Sequence, residues 1–173
     1  MALLKAVLRH PSGRIGAAII LAFLVLAGLG AVGLTPHNPL KQFVVDRLKP
    51  PSATYWFGTD LLGRDVFSRL MLGISESFIV AFASVGVAAS AGAVIGLFAA
   101  WWGHLWDGVL MRTMDVLLAF PAILLALLIV AIEGAGMVTS IVAIGIVYTP
   151  IFARVVRAPA AACRGQGSSV RIR

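Results

Sequence analysis

The chain has 173 residues, of which 60% are hydrophobic and only 12% charged, with a formal net charge of +7. Soluble domains carry about a quarter charged residues, so an ordinary water-soluble domain is excluded. The single cysteine, Cys163, excludes an internal disulfide framework and a multi-cysteine metal site.

Nucleic acid is not the expected partner of the basic charge. The Lys and Arg residues flank apolar runs instead of alternating with aromatic side chains. Residues 1–14 form an N-terminal segment carrying Lys5, Arg9 and Arg14. The first apolar run is 15–34, from Ile15 to Leu34 without a charge. A hydrocarbon core of about 30 Å needs about 20 helical residues, so this run predicts a first transmembrane helix. A cleaved signal would have a shorter apolar region, about 7–15 residues.

Residues 35–77 follow as a long loop, Pro-rich and polar as far as Ala53. Three further transmembrane helices are predicted over 78–157. The first is Phe78 to Ala100, with Gly92 and Gly96 four apart. Small residues at that spacing share a helix face and admit a close neighbour. Val116 to Ile132 comes next, with Pro121 near its start as a potential kink. Glu133-Gly134-Ala135-Gly136 turns the chain into Met137–Ala153, so the last two spans form an antiparallel hairpin. Trp101, Trp102 and Trp106, in the connection that precedes Val116, suit the amphipathic interface of a membrane. Residues 158–173 form a tail. The expected fold is all-α: a polytopic bundle of four membrane helices in a lipid bilayer.

Four spans put both termini on one side. Both ends are basic: Lys5, Arg9 and Arg14 at one, and Arg154, Arg157, Arg164, Arg171 and Arg173 at the other, with no acid among them. The positive-inside rule makes that side the cytoplasm. The loop 35–77 and the Glu133 turn then face outward, and the Trp101–Asp115 connection faces the cytoplasm.

The loop contains a dense motif, Gly58-Thr59-Asp60-x-Leu62-Gly63-Arg64-Asp65-x-x-Ser68-Arg69. Asp60 is a candidate helix N-cap. Asp65 and Arg69 are four apart and are expected to pair along a helix face. Nothing in the chain assembles a nucleophile with its base, a phosphate-binding glycine loop or metal-ligand spacing, so no catalytic, cofactor-binding or metal-binding residue is expected. Gly58, Thr59, Asp60, Gly63, Arg64, Asp65, Ser68 and Arg69 are expected to be structural.

This motif resembles the segment after the first helix in permeases of dipeptide, oligopeptide and nickel ABC importers, particularly the second permease of the pair (DppC/OppC type). The resemblance continues through Met111-Arg112-x-x-Asp115-Val116-x-Leu118-Ala119-Phe120-Pro121 and through Tyr148-x-Pro150-x-x-Ala153-Arg154-x-x-Arg157-Ala158, in order and with similar spacing, from about Lys5 to Arg164. Those permeases often carry an arginine where this chain has Ser75, which is followed by Glu76.

The resemblance implies a type I importer architecture in the inner membrane. It also implies a homologous second permease, two cytoplasmic ATPase subunits and an external substrate-binding protein as partners. The chain itself would be no enzyme but part of the translocation path. Such permeases usually have six helices and an EAA coupling loop after the fourth. Here Gly167–Arg173 depart from the expected coupling-loop sequence, and a shift of reading frame after Gln166 is the expected cause, which nucleotide sequencing tests. In this form the chain is not expected to support uptake alone. Two other readings fit the same length: a small membrane scaffold or regulator that binds a permease without transporting, and a permease for nickel or another small solute. A self-contained channel fits poorly, since the spans lack ionisable residues.

Overall fold

A computed structural model of the chain describes residues 10–102 and 104–169. Its elements are α1 (Pro11–Ala31), a 3-10 turn at Val44–Asp46, α2 (Val66–Trp101), α3 (His104–Ala119), α4 (Ala122–Glu133) and α5 (Met137–Ser169). The chain divides into two compact units, residues 1–79 and 80–173.

Among the described residues the fold is all-helical, with three helices long and apolar enough to cross a bilayer: α1, α2 and the Met137–Cys163 part of α5. The bent pair α3–α4 makes a fourth if taken as one span. Each element departs from its hydropathy boundaries for an identifiable reason. α1 begins four residues before Ile15, because Pro11 suits the first helical turn, where its missing N–H costs nothing. It ends at Ala31 rather than Leu34, since Gly33 turns to a positive φ of 73°. α2 starts at Val66, twelve residues ahead of the apolar run, so the end of the predicted loop, from Val66 to Ser77, is helix.

The run Val116–Ile132 is not one straight helix. α3 and α4 meet at 91°. Pro121 disfavours helical geometry at Phe120 and supplies no N–H, so the helix stops at Ala119 and restarts at Ala122. The predicted Trp101–Asp115 connection is mostly helical, as the first three turns of α3. α5 carries Pro150 and Pro159 inside its length and continues through the predicted tail to Ser169. The remaining tail, residues 170–173, and the N-terminal residues 1–9 lie outside the described residues, as do the expectations placed on Lys5, Arg9, Arg171 and Arg173.

Within the second unit α4 folds back on α5 and α3 also packs on α5. Gly134, with φ 87°, opens the turn between α4 and α5. The tightest seam joins α2 to α5. A Cβ on Gly92 would lie 2.5 Å from the Phe152 Cβ, and one on Gly96 would lie 2.5 Å from the Ala153 carbonyl oxygen. From the α5 side, a Cβ on Gly145 would meet Val87 at 2.7 Å. Small residues thus bring two backbones together, which is how helices associate where apolar burial gives no net drive. Ala153 is fully buried in this seam, and Ala88 and Ala143 are buried on the same two helices. Ser84 is buried there too, and its hydroxyl has no hydrogen-bond partner among the described residues.

Candidate functional site

Two groups of polar residues stand out, one in each unit. The first is the loop motif. Asp65 caps α2: its carboxylate accepts from the Phe67 N–H at 3.4 Å, the Ser68 N–H at 3.2 Å and the Ser68 hydroxyl at 2.6 Å. These are the N2 and N3 groups that a helix start leaves unpaired. The N-cap is therefore Asp65 and not Asp60, the residue expected from the sequence. Ser68 and the Asp65 side chain are almost fully buried.

Asp60 instead organises the turn that precedes the helix. One carboxylate oxygen accepts the Leu62 N–H at 2.8 Å and the Arg64 N–H at 3.0 Å. The other accepts Arg64 Nε at 2.8 Å and an Arg69 guanidinium nitrogen at 2.7 Å. Arg69 therefore pairs with Asp60 and not with Asp65, which is committed to the helix end and to His37. Partial burial alone would raise the Asp60 pKa; the donors from Arg64, Leu62 and Arg69 outweigh it and hold the carboxyl well below its ordinary 3.8.

Two glycines make the turn possible. Gly58 and Gly63 have φ of 71° and 72°. A Cβ on Gly58 would sit 2.5 Å from the Lys49 carbonyl oxygen, and one on Gly63 would sit 1.7 Å from that of Phe43. Left-handed geometry and close approach both demand glycine there. Thr59 knits the turn to the preceding 3-10 turn and the residues just after it. Its N–H donates to the Lys49 carbonyl at 3.1 Å, its hydroxyl accepts the Lys49 N–H at 2.8 Å, and the same hydroxyl donates to the Asp46 carbonyl.

Four participants were not foreseen: His37, Asp46, Lys49 and Tyr55. The His37 N–H donates to Ser68 Oγ at 3.0 Å, and its ring Nδ1 lies 3.4 Å from Asp65. The Tyr55 hydroxyl donates to Asp46 at 2.8 Å. Hydrogen bonds from Lys49 and Tyr55 hold the Asp46 carboxyl below its ordinary range, and the same carboxylate raises the Tyr55 phenol and the Lys49 ammonium. His37 is 28 residues from Asp65, a separation that no periodicity links. Only the Asp46–Lys49 spacing of three carried a local signal. All eight motif residues thus fall in one cluster around the start of α2, with Gly58 accepting the Val66 N–H through its carbonyl at 3.2 Å.

The second group lies on α3 and α5. Arg157 donates from two nitrogens to both carboxylate oxygens of Asp107, and Arg154 donates to Asp115. Arg154 and Asp115 are each about half exposed. An apolar cleft of about 500 Å³ opens beside the α4–α5 turn, with Ile132, Thr139 and Ile146 on its walls and Glu133 at its rim. Among the described residues no three His, Cys, Asp or Glu side chains converge as a metal site.

Known proteins match this sequence. The family described as "Binding-protein-dependent transport system inner membrane component" matches residues 92–165, which cover the end of α2, α3, α4 and most of α5. The glutathione transport system permease protein GsiD of Pectobacterium atrosepticum is 40% identical over 144 residues, 83% of this chain and 48% of that protein. The dipeptide transport system permease protein DppC of Alkalihalophilus pseudofirmus is 42% identical over 143 residues, 83% of this chain and 47% of its own length. The di/tripeptide transport system permease protein DppC of Pseudomonas aeruginosa is 37% identical over 155 residues, 86% of this chain and 51% of its own. The chain spans about half the length of these relatives. By sequence the chain is similar to peptide-transport permeases, and its residues 92–165 match the inner-membrane component family of binding-protein-dependent transport systems.

Proposed function

We propose that this chain acts as a permease component of an ATP-binding-cassette importer and lines part of the path taken by di- or oligopeptides or a peptide-like solute such as glutathione. The observation that carries this reading is the family match over residues 92–165. That stretch coincides with the helices packed in the second unit, including the Gly92 and Gly96 seam. The substrate class follows from the relatives' names, with nickel or another small solute as the alternative. The chain hydrolyses nothing itself. A homologous second permease completes the path, two ATPase subunits in the cytoplasm drive it, and an external binding protein delivers the solute. Nucleotide would act by favouring one of two conformations through differential binding.

In this reading both termini are cytoplasmic and the loop unit is external, supported by the basic residues at both ends of the sequence. The motif residues Gly58 to Arg69 shape the external loop and do not contact substrate. What supports this is the saturation of Asp60 and Asp65 by donors from the loop itself.

Co-expression of the tagged chain with a second permease and both ATPases tests the proposal. Co-purification of all four subunits supports it. Recovery of a full-length permease without ATPases points to the scaffold reading instead.

A further inference from the structure

The loop between α1 and α2 is well hydrogen-bonded internally, yet it presents large apolar side chains outward. Leu40 is 70% exposed, Val45 92% and Trp56 59%, and Val44, Leu48 and Phe57 are also more than half exposed. Such a concentration of apolar surface on a polar loop marks an interaction site and not scattered surface residues. One of these side chains is held outward at a conformational cost. Leu48 has φ 51°, in the left-handed region that a branched residue seldom enters, and its N–H is tied to the Asp60 carbonyl at 3.2 Å.

The height of the loop follows from the packing of the two helices it joins. A Cβ on Gly30 would lie 2.4 Å from the Met71 carbonyl oxygen, so the last turn of α1 is level with Met71. Only residues 66–70 of α2 extend beyond that point, roughly 8 Å at the helical rise. α1 ends at Ala31, three residues before its apolar run ends at Leu34, and the headgroup layer occupies roughly 5–8 Å on each side of the hydrocarbon core. The start of α2, to which the loop is tied by the His37 N–H donating to Ser68 Oγ at 3.0 Å, is therefore level with the headgroups. The loop's charge suits that place: residues 35–59 contain Lys41, Arg47 and Lys49 against the single acid Asp46. Lys41 lies over the Phe43 ring at 5.0 Å, an arrangement that puts a cation beside an apolar body. Trp and basic residues together are the composition that seats segments in an interface with anionic headgroups.

We infer that the loop 40–57 is an interfacial anchor, seated in the headgroup layer of the membrane that α1 and α2 cross, with Val45, Leu48 and Trp56 entering the acyl boundary and Lys41 and Arg47 meeting anionic lipid headgroups. The inference rests on the two spans and their contact, not on the transport reading.

The test uses the full chain in nanodiscs of phosphatidylethanolamine with phosphatidylglycerol. A nitroxide is placed at Val45→Cys in a Cys163→Ser background, and power saturation compares oxygen, which partitions into lipid, with an aqueous nickel chelate. Val45 is almost fully exposed, so the substitution disturbs no packing. The expected result is oxygen accessibility at least twofold above that to the chelate. Lys41→Gln with Arg47→Gln is expected to reduce that preference in phosphatidylglycerol discs and to leave it unchanged in purely zwitterionic ones. Chelate accessibility above oxygen would overturn the inference, because the loop would then stand in water. Low accessibility to both reagents would overturn it as well, because it would place Val45 against protein.

Discussion

The loop unit and the helical unit of this chain reach close backbone contact by opposite means. Around Asp60 the contacts are polar and directional. One carboxylate gathers four donors, and Gly63 allows the Phe43 carbonyl to press against the turn. Between α2 and α5 the contacts are steric. Gly92, Gly96 and Gly145 remove side chains so that two helices touch, and the seam holds a serine hydroxyl with no partner among the described residues. Glycine serves both regions: positive φ together with close approach in the loop, and missing volume alone in the helices. The loop should therefore fail when a donor, acceptor, backbone angle or turn glycine is changed, and the helices when volume is added.

The largest effect is expected at Gly63. Gly63→Ala combines a left-handed backbone with a Cβ 1.7 Å from a carbonyl oxygen, and should destabilise the loop by about 3 kcal/mol or more. Faster proteolysis between Leu40 and Asp60, with the helical content kept, is the readout. Wild-type protection in this variant would remove the steric account of the turn. In the helical unit Gly96→Leu should cost roughly 1–3 kcal/mol by overpacking against Ala153 and Arg157. The midpoint of detergent-induced unfolding measures it. Gly108, which meets no atom within 4 Å, is the matched control and should tolerate alanine.

Asp60→Asn should cost about 1.5–3 kcal/mol, since it weakens charge-assisted bonds to two arginines and two backbone donors. The pH dependence follows in sign. The folded pKa lies below the ordinary 3.8, so the stabilisation is complete above that value and declines as pH falls beneath it. Proteolytic protection of the loop should be flat in its Asp60 contribution from pH 5 to 8 and fall only under more acid conditions. The Asn variant should lack that acid limb. The smallest effect is expected for Asp115→Asn. Its pair with Arg154 is about half exposed on both sides, which makes it worth less than about 1 kcal/mol.

Hydropathy located the spans because a membrane helix needs only length and apolarity. It misplaced their ends where a local device decides: Pro11 opening α1, Asp65 opening α2, Pro121 breaking the third run. The eight motif residues were legible as a group because they are contiguous, and their internal wiring was not. Asp65 was assigned to Arg69 by its spacing of four, yet Asp65 is occupied by the α2 end and by His37 from 28 residues away, leaving Arg69 to Asp60. Helical spacing applies only inside a helix, and Asp60 lies before one. His37 and Tyr55 carried no signal, because their partners are set by how the loop folds. The α2–α5 seam was half legible: Gly92 and Gly96 announce a small-residue face, but nothing in the sequence names Phe152 and Ala153 as what meets it.

The central claim is that the region matching the transport family folds as one packed set of helices, and a cross-link between Asp107 and Arg157 tests it most directly. Both are replaced by cysteine in a Cys163→Ser background, and membranes are treated with a bifunctional maleimide of about 10 Å reach. The Arg157 guanidinium meets both oxygens of the Asp107 carboxylate across 50 residues, so an intrachain product is expected in high yield. Modification of each cysteine singly with no intrachain product would contradict the account.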